Sequence, residues 1–221
     1  MGGSAKASQR AAPYQPLPTT SRTIGLCGFT EGVSAMRTLM RQSGMSVIFL
    51  ALVFATTSAP GQQDVHATIV PQASRQAAPT FQLADASGTN KQVTDYRGKV
   101  LLLNFWATAC GGCQLEIPWL IELESAHKSD SFTVVGVSMD TSYEGSKSAD
   151  EAWSKVKPFV LDHKLNYPVL MGDAMLITSY NMKALPATYL IDKQGRIAAT
   201  YAGVIDKSDV DSNINKLLAE Q

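Results

Sequence analysis

The segment VLLLNFW, from Val100 to Trp106, constrains the fold most strongly, because it is apolar over nearly its whole length. A half-buried strand alternates apolar and polar residues, whereas a run without alternation is typical of a strand that is covered on both faces. Strands of that kind occur in parallel sheets that carry helices on both sides. The segment therefore predicts an α/β fold with this strand in its interior.

Strands and helices alternate along the rest of the chain. A hairpin is predicted first, around the turn at Ser87-Gly88, and a helix follows the buried strand from Cys110 to about Lys128. The remaining predicted elements are a buried strand over 131–140, a helix over 148–165 with Ser148 as its N-cap, a short strand over 167–173, a short helix over 174–182, two strands over 187–203 about a turn at Gly195, and a closing helix over 208–221 with Ser208 as its N-cap. This order predicts one sheet with helices on both faces and an antiparallel hairpin at one side.

Two of the three cysteines, Cys110 and Cys113, lie where the buried strand ends and the next helix begins. The Cys-x-x-Cys spacing places both sulfur atoms on the first helical turn, close enough to bridge. The unpaired N–H groups and the dipole of a helix N-terminus favour a thiolate at Cys110. The pattern indicates that Cys110 attacks a partner's disulfide and that Cys113 resolves the mixed disulfide.

Two other roles for the cysteine pair can be weighed against redox exchange. A zinc site usually needs four ligands, and the chain offers only three histidines besides the pair, with no second Cys-x-x-Cys and no paired-histidine motif. A structural disulfide that closes so short a loop stabilises a fold little through chain entropy. Redox exchange is therefore favoured, and neither a metal nor another cofactor is expected.

The residues around the cysteines resemble a known superfamily. The stretches NFWATACGGCQLEIP (104–118) and ALPATYLIDKQGRI (184–197) are similar to the thioredoxin-like superfamily, and most similar to its TlpA/ResA-like extracytoplasmic thiol–disulfide reductases, which carry a redoxin domain of the AhpC/TSA type. The resemblance runs from about Pro79 to the C-terminus. It implies a central mixed β-sheet flanked by helices, an N-terminal β-hairpin, an inserted helix and strand, and a redox-active disulfide between Cys110 and Cys113.

The resemblance also implies roles for residues outside the cysteine pair. Pro186 matches the family's cis-proline, which would expose the backbone of Leu185 to pair with a partner's peptide. Glu116 matches an acidic residue that tunes proton transfer at the resolving thiol. A carboxylate that complements the helix dipole is the alternative for Glu116. Trp106 is expected to pack beneath the active site.

Two positions depart from the family pattern. Ala109 stands where relatives usually carry a tryptophan before the first cysteine, and Gly111-Gly112 stands where a proline is common. A Gly-Gly dipeptide is more flexible, and ordering it at a helix start costs more conformational entropy. Both departures bear on the reduction potential, so the direction of the reaction, as reductant or as oxidant, stays open at this point.

Two further functions are compatible with a thioredoxin-like frame. A thiol peroxidase of the peroxiredoxin group needs Pro seven places and Thr or Ser three places before its cysteine, and those places hold Leu103 and Ala107. A copper-binding chaperone typically has a wider cysteine spacing and a histidine near the cis-proline, and no histidine lies near Pro186. We therefore expect a thiol–disulfide oxidoreductase that reduces protein disulfides outside the cytoplasm, for example in cytochrome c maturation.

The N-terminal third of the chain differs from the rest in composition. Residues 1–35 are rich in Gly, Ala, Ser, Thr and Pro without a sustained apolar period, so they cannot bury enough surface to fold. We expect them to be disordered, or to reflect a start assigned too early, with the true start at Met36 or Met40. In the second case Cys27 is not part of the protein, and in the first it is an incidental thiol.

Residues 36–59 have the layout of a secretory signal peptide. Two arginines precede an apolar stretch from Met45 to Ala55, and small residues follow it. The stretch is too short to span a bilayer comfortably, but a membrane tether through it is the alternative to cleavage. Residues 60–77 are rich in Gln, Ala and Pro and predict a linker.

Charge excludes one class of partner for the thioredoxin-like domain expected at 78–221. Residues 68–221 carry 14 Lys and Arg against 17 Asp and Glu. A weakly acidic body lacks the positive surface that nucleic-acid binding requires. The expected partners are a disulfide-containing protein substrate and a thiol–electron donor in the membrane, the expected location is the periplasm or another extracytoplasmic space, and a monomer is expected.

Overall fold

The structure is a computed structural model of the chain, and it describes residues 64–128 and 131–220. The predictions for residues 1–35 and 36–59, with the tether at Met45–Ala55, lie outside the described residues. Within the described ranges, no helix is both long enough and apolar enough to cross a membrane.

Seven strands and five α-helices make up the described chain. In chain order they are β1 (Gln82–Ala84), β2 (Asn90–Gln92), β3 (Val100–Trp106), α1 (Gly111–Ala126), β4 (Phe132–Ser138), α2 (Asp140–Tyr143), α3 (Ala149–Asp162), β5 (Val169–Met171), α4 (Ala174–Ser179), β6 (Ala187–Ile191), β7 (Ile197–Ala202) and α5 (Lys207–Ala219). Two short 3₁₀ helices lie at Gln72–Ser74 and Val93–Tyr96.

The central sheet has five strands in the order β5-β4-β3-β6-β7. The strand β3 pairs parallel with β4 and antiparallel with β6, so the sheet is mixed. Every residue of β3 is buried, as the apolar run predicts. The strands β1 and β2 form the separate hairpin, and α3 with β5 forms the inserted helix and strand. The predicted mixed α/β sheet is therefore confirmed.

Both faces of the sheet are covered, and β3 contributes to both cores. Leu102 and Trp106 face one core, which also contains the apolar side chains of α1, α3 and α5. Leu103 and Phe105 face the other core, which is closed by the hairpin and by α4. Alternate residues of a strand point to opposite faces, so a strand without a polar face is what two covered faces require.

The N-caps of two helices test the sequence predictions directly. Ser148 caps α3, since its hydroxyl accepts the N–H of Glu151 at 3.2 Å. Ser208 was expected to cap α5, and this is wrong. Asp206 caps that helix by accepting the N–H of Asp209 at 2.8 Å, and Ser208 lies inside the first turn. The helix begins at Lys207, so its N-cap lies two residues earlier than predicted and the carboxylate of Asp206 precedes its first turn. Asp is as good an N-cap as Ser.

Residues 64–77 lie within the range predicted as a linker, and in the structure they pack against the domain. Val65 forms a parallel bridge with Ile205. The guanidinium of Arg75 is buried and donates to Asp192 at 3.0 Å and to both carboxylate oxygens of Glu220 at 2.6 Å. This ion network joins the start of the described chain to the end of α5.

Candidate active site

The cysteine pair lies just beyond the carboxyl end of β3. Cys110 is the N-cap of α1 and Cys113 lies in its first turn, and the two sulfur atoms form a disulfide bond. The Sγ atom of Cys110 accepts the backbone N–H of Cys113 at 3.2 Å. The sulfur therefore occupies the position of a helix cap, where a donor and the helix dipole both favour negative charge. Cys110 is 7% exposed, whereas Cys113 is fully buried.

The pairing of β3 with β6 places Pro186 at the same end of the sheet as the two cysteines. Phe105 lies opposite Ala187 in the antiparallel pairing of β3 with β6, so Pro186 lies beside the end of β3. The Leu185–Pro186 peptide bond is cis, as the resemblance implies. Leu185 packs against the core that contains both cysteines. Its backbone N–H and carbonyl make no hydrogen bond with any residue that the structure describes.

Glu116 lies one turn after Cys113 on the same face of α1 and is fully buried. Its carboxyl accepts the side-chain amide of Asn104 at 2.6 Å and the backbone N–H of Ile205 at 3.3 Å. Burial raises the pKa of Glu116 to about 8, although these two hydrogen bonds oppose the shift. Because Glu116 lies beyond the first turn of α1, the alternative of a carboxylate that complements the helix dipole does not fit.

Asn104 is a site residue that the sequence analysis did not single out. Its amide nitrogen donates to Glu116 and, at 2.9 Å, to the hydroxyl of Thr188 on β6. Its amide oxygen has no partner among the described residues. The available signal was a single amide side chain inside an otherwise apolar strand, because a buried polar group needs a partner in the interior. Thr188 gives no such signal, since threonine is common in strands.

Trp106 is fully buried in the core that also holds the two cysteines, and its packing beneath them stays a prediction. Its ring lies 5.1 Å from that of Phe159 on α3, between centroids. Gly136 of β4 approaches the same ring so closely that an added Cβ atom would lie 2.8 Å from the indole nitrogen. By contrast, the space around Gly111 is open, because an added Cβ atom there would meet no atom within 4 Å. Gly111 and Gly112 are the first two residues of α1.

A groove of about 200 Å³ opens next to Leu185. Its lining is mainly apolar and comprises Met139, Ser142, Tyr143, Ile177, Met182, Lys183, Ala184 and Leu185. Tyr143 is 60% exposed and Ile177 is 41% exposed. Large apolar side chains exposed together mark a surface that can bind a partner.

Comparison with known proteins identifies the family. The model of the AhpC/TSA family matches residues 74–200, which is more than half of the chain. The chain belongs to the AhpC/TSA family. It is 31% identical to the thioredoxin-like protein YneN of Bacillus subtilis over 140 residues, which cover 63% of this chain and 78% of YneN. It is 30% identical to the thiol–disulfide oxidoreductase ResA of Geobacillus kaustophilus over 141 residues, which cover 63% of this chain and 75% of that protein.

Solved structures support the same assignment. A putative thiol:disulfide interchange protein DsbE from Chlorobium tepidum superposes with a TM-score of 0.58 at 25% identity, and covers 66% of this chain and 97% of its own. A secreted thiol–disulfide isomerase from Corynebacterium glutamicum superposes with a TM-score of 0.59 at 25% identity, and covers 73% and 96%. The thioredoxin-like fold of this AhpC/TSA family member and its enzyme class, thiol–disulfide oxidoreductase, are confirmed.

Proposed function

We propose that this chain reduces disulfide bonds of proteins through a dithiol cycle of Cys110 and Cys113. The observation that carries the proposal is the position of the Cys110 sulfur, which caps α1 and accepts the N–H of Cys113. A thiolate at that position is stabilised before any substrate arrives. Cys113 has no exposed surface, so Cys110 is the cysteine that a partner can reach.

The cycle balances in two exchange steps. The Cys110 thiolate attacks one sulfur of the substrate disulfide, that S–S bond breaks, and the released substrate thiolate takes up a proton. The Cys113 thiolate then attacks the Cys110 sulfur in the mixed disulfide, which forms the enzyme disulfide and releases the second substrate thiolate, and this also takes up a proton. The substrate gains two electrons and two protons, and a thiol–electron donor must return two electrons to the enzyme.

We assign to Glu116 the role of accepting the proton of the Cys113 thiol. The thiol must lose its proton before the second exchange, and it is buried away from water. A carboxyl with a pKa of about 8 is matched to a thiol, whose ordinary pKa is about 8.5, and proton transfer is most effective when the two pKa values are close to the working pH. Asn104 holds the carboxyl in place through its amide.

The substrate is a protein segment in extended conformation. The unpaired backbone groups of Leu185 can form hydrogen bonds with such a segment beside the cysteines, as in other cases of strand addition. The apolar groove at Tyr143 and Ile177 can then accept an apolar side chain of that segment. Neither feature is needed to bind a small thiol.

We assign the reaction to the space outside the cytoplasm. There the enzyme acts as the reductant, and it acts as a monomer. The signal-like segment at 36–59 supports export, cleaved or tethered, and one of the matched solved proteins is described as secreted. Substrates in cytochrome c maturation and an electron donor in the membrane are the partners that this assignment requires. No nucleic acid has a part in it.

Cysteine variants of the full chain test the cycle with a disulfide-bonded protein substrate. Cys110→Ser should abolish turnover, Cys113→Ser should accumulate a mixed disulfide, and Cys27→Ser should match the wild type. Turnover by Cys110→Ser would refute the assignment, and turnover of peroxide instead of disulfides would indicate a peroxidase. Equilibration with glutathione gives the direction, since dithiol proteins range from about −270 mV for a reductant to about −120 mV for an oxidant.

A further inference from the structure

The loop between β3 and α1 is held at one residue, Thr108. Its backbone N–H points to the carboxylate of Asp140, 3.3 Å from each oxygen, and its hydroxyl donates to the same carboxylate. Its carbonyl accepts the side-chain amide of Gln114 at 2.7 Å. All three polar groups of Thr108 are therefore bonded to residues outside the loop, two residues before Cys110.

Asp140 is itself fixed to the sheet. It lies two residues after the end of β4 and is the first residue of α2, it is fully buried, and it accepts the hydroxyl of Ser138 at 2.7 Å. Ser138 lies opposite Trp106 in the parallel pairing of β3 with β4. The backbone N–H of Met139 continues that pairing by donating to the carbonyl of Trp106 at 2.7 Å. The carboxylate that holds Thr108 therefore cannot move independently of the strand that carries the loop.

The residues on the other side of Cys110 provide little restraint of their own. Gly111 and Gly112 follow it, and glycine has the largest conformational freedom of any residue. A Cβ atom at Gly111 would meet no atom within 4 Å, so no side-chain packing confines this residue. What holds it is the first turn of α1, where the carbonyl of Cys110 accepts the N–H of Gln114 at 3.1 Å. The position of the Cys110 sulfur therefore depends on that first turn and on the loop before it, where Thr108 is bonded on both sides.

We propose that Thr108 is a positioning residue that makes the cysteine pair a stronger reductant by holding Cys110 next to Cys113 in the dithiol state. The inference rests on the proposed dithiol cycle. In the disulfide state the covalent bond keeps the two sulfur atoms together, whatever the loop does. In the dithiol state that bond is absent, and Cys110 is held by the first turn of α1 and by the hydrogen bonds of the loop. Loss of the loop's bonds lets the loop gain entropy. Losing them therefore favours the dithiol and raises the reduction potential.

Thr108→Val tests this in the full chain, because valine has the shape of threonine without the hydroxyl. The enzyme disulfide is equilibrated with glutathione, where two glutathione thiols are oxidised for each enzyme disulfide reduced. We expect the equilibrium constant to move five- to tenfold toward the dithiol, and tenfold corresponds to a rise of about 30 mV. Thr108→Ser keeps the hydroxyl and should stay within twofold of the wild type.

Two more variants test whether the shift comes from the hydrogen bonds of Thr108. Gln114→Ala releases the carbonyl of Thr108 at an exposed helix position where alanine folds well, and it should move the constant two- to threefold in the same direction. Thr133→Val is the matched control, since Thr133 is a buried threonine of β4 whose hydroxyl bonds only the carbonyl of the next residue. It should leave the constant within twofold.

Urea unfolding of both redox forms separates positioning from a purely structural role. Thr108→Val should destabilise the disulfide form more than the dithiol form, because only the dithiol form regains loop entropy. Equal losses with an unchanged potential would overturn the inference, as would a shift for Thr108→Ser as large as for Thr108→Val. Absence of a reversible couple in the wild type would instead refute the dithiol cycle itself.

Discussion

Glu116→Gln should remove a large pH dependence of stability. The carboxyl is fully buried beside Cys113, and burial raises its pKa from 4.5 to about 8. Below pH 4.5 both the folded and the unfolded chain hold this proton. As the pH rises from there, the unfolded chain releases the proton while the folded chain keeps it until about pH 8. The folded state therefore loses free energy of unfolding across this window.

The magnitude follows from the size of the shift. Each pH unit between the two pKa values costs the folded state about 1.4 kcal/mol. Between pH 5 and pH 7.5 the wild type should lose about 3 kcal/mol of unfolding free energy relative to Glu116→Gln. Glutamine is neutral throughout and can satisfy the same neighbours, because rotation of the Asn104 amide presents its unpartnered oxygen to the new NH₂ group.

The assay is urea unfolding of the oxidised full chain at a series of pH values, followed by tryptophan fluorescence and circular dichroism. Glu122→Gln is the matched control, since Glu122 lies on the same helix with 57% of its side chain exposed. Its profile should run parallel to the wild type. If the profile of Glu116→Gln also runs parallel to the wild type, the pKa of Glu116 is not raised in the folded protein, and the match to the thiol pKa that supports its assignment to the proton of Cys113 fails.

Three further substitutions test the packing around the site and the N-terminal segment. Arg75→Ala should cost about 1.5–3 kcal/mol in urea unfolding, because the buried carboxylate of Asp192 loses one of its two arginine partners and keeps only Arg196, and a loss below about 1 kcal/mol would contradict this. Gly111→Pro should raise the unfolding free energy by about 0.4–1 kcal/mol, since the first position of a helix suits proline and the preceding residue is already extended; destabilisation would show a clash. Gly136→Ala should cost about 1–3 kcal/mol and change the tryptophan emission, because the added Cβ atom meets the indole of Trp106 at 2.8 Å, and an unchanged spectrum would count against that contact.

The elements that could be predicted from the sequence are those whose signal is local. The apolar run of β3 and the cysteine spacing at the start of α1 each lie within a few residues, and both are where the patterns place them. The N-cap of α5 shows the limit of such reasoning. Asp206 and Ser208 both fit the preference for an N-cap, and only the three-dimensional path of the chain before the helix decides which side-chain oxygen and which N–H group come together.

The part of the site that could not be predicted is assembled from distant segments. Glu116 of α1 meets Asn104 of β3 and the backbone of Ile205 after β7, which is 89 residues away in sequence. The bond between Thr108 and Asp140 likewise joins the loop after β3 to the start of α2, which are adjacent only because β3 and β4 pair in parallel. Unless the register of the sheet is known, no spacing rule connects such residues.

The path of residues 64–77 has a consequence for the solubility of the domain. The strand β7 is the last in the sheet, and its outer side would otherwise offer a row of unpaired backbone groups. The N-terminal segment occupies them: the N–H of Val70 donates to Ala198 at 2.8 Å, and the carbonyl of Gln76 accepts the N–H of Ile197 at 2.8 Å. An open sheet edge is a template for pairing with another chain. A chain that begins at residue 78 would therefore leave the outer side of β7 open to pairing with a second copy of the protein. Such a chain would self-associate even with its cysteines intact.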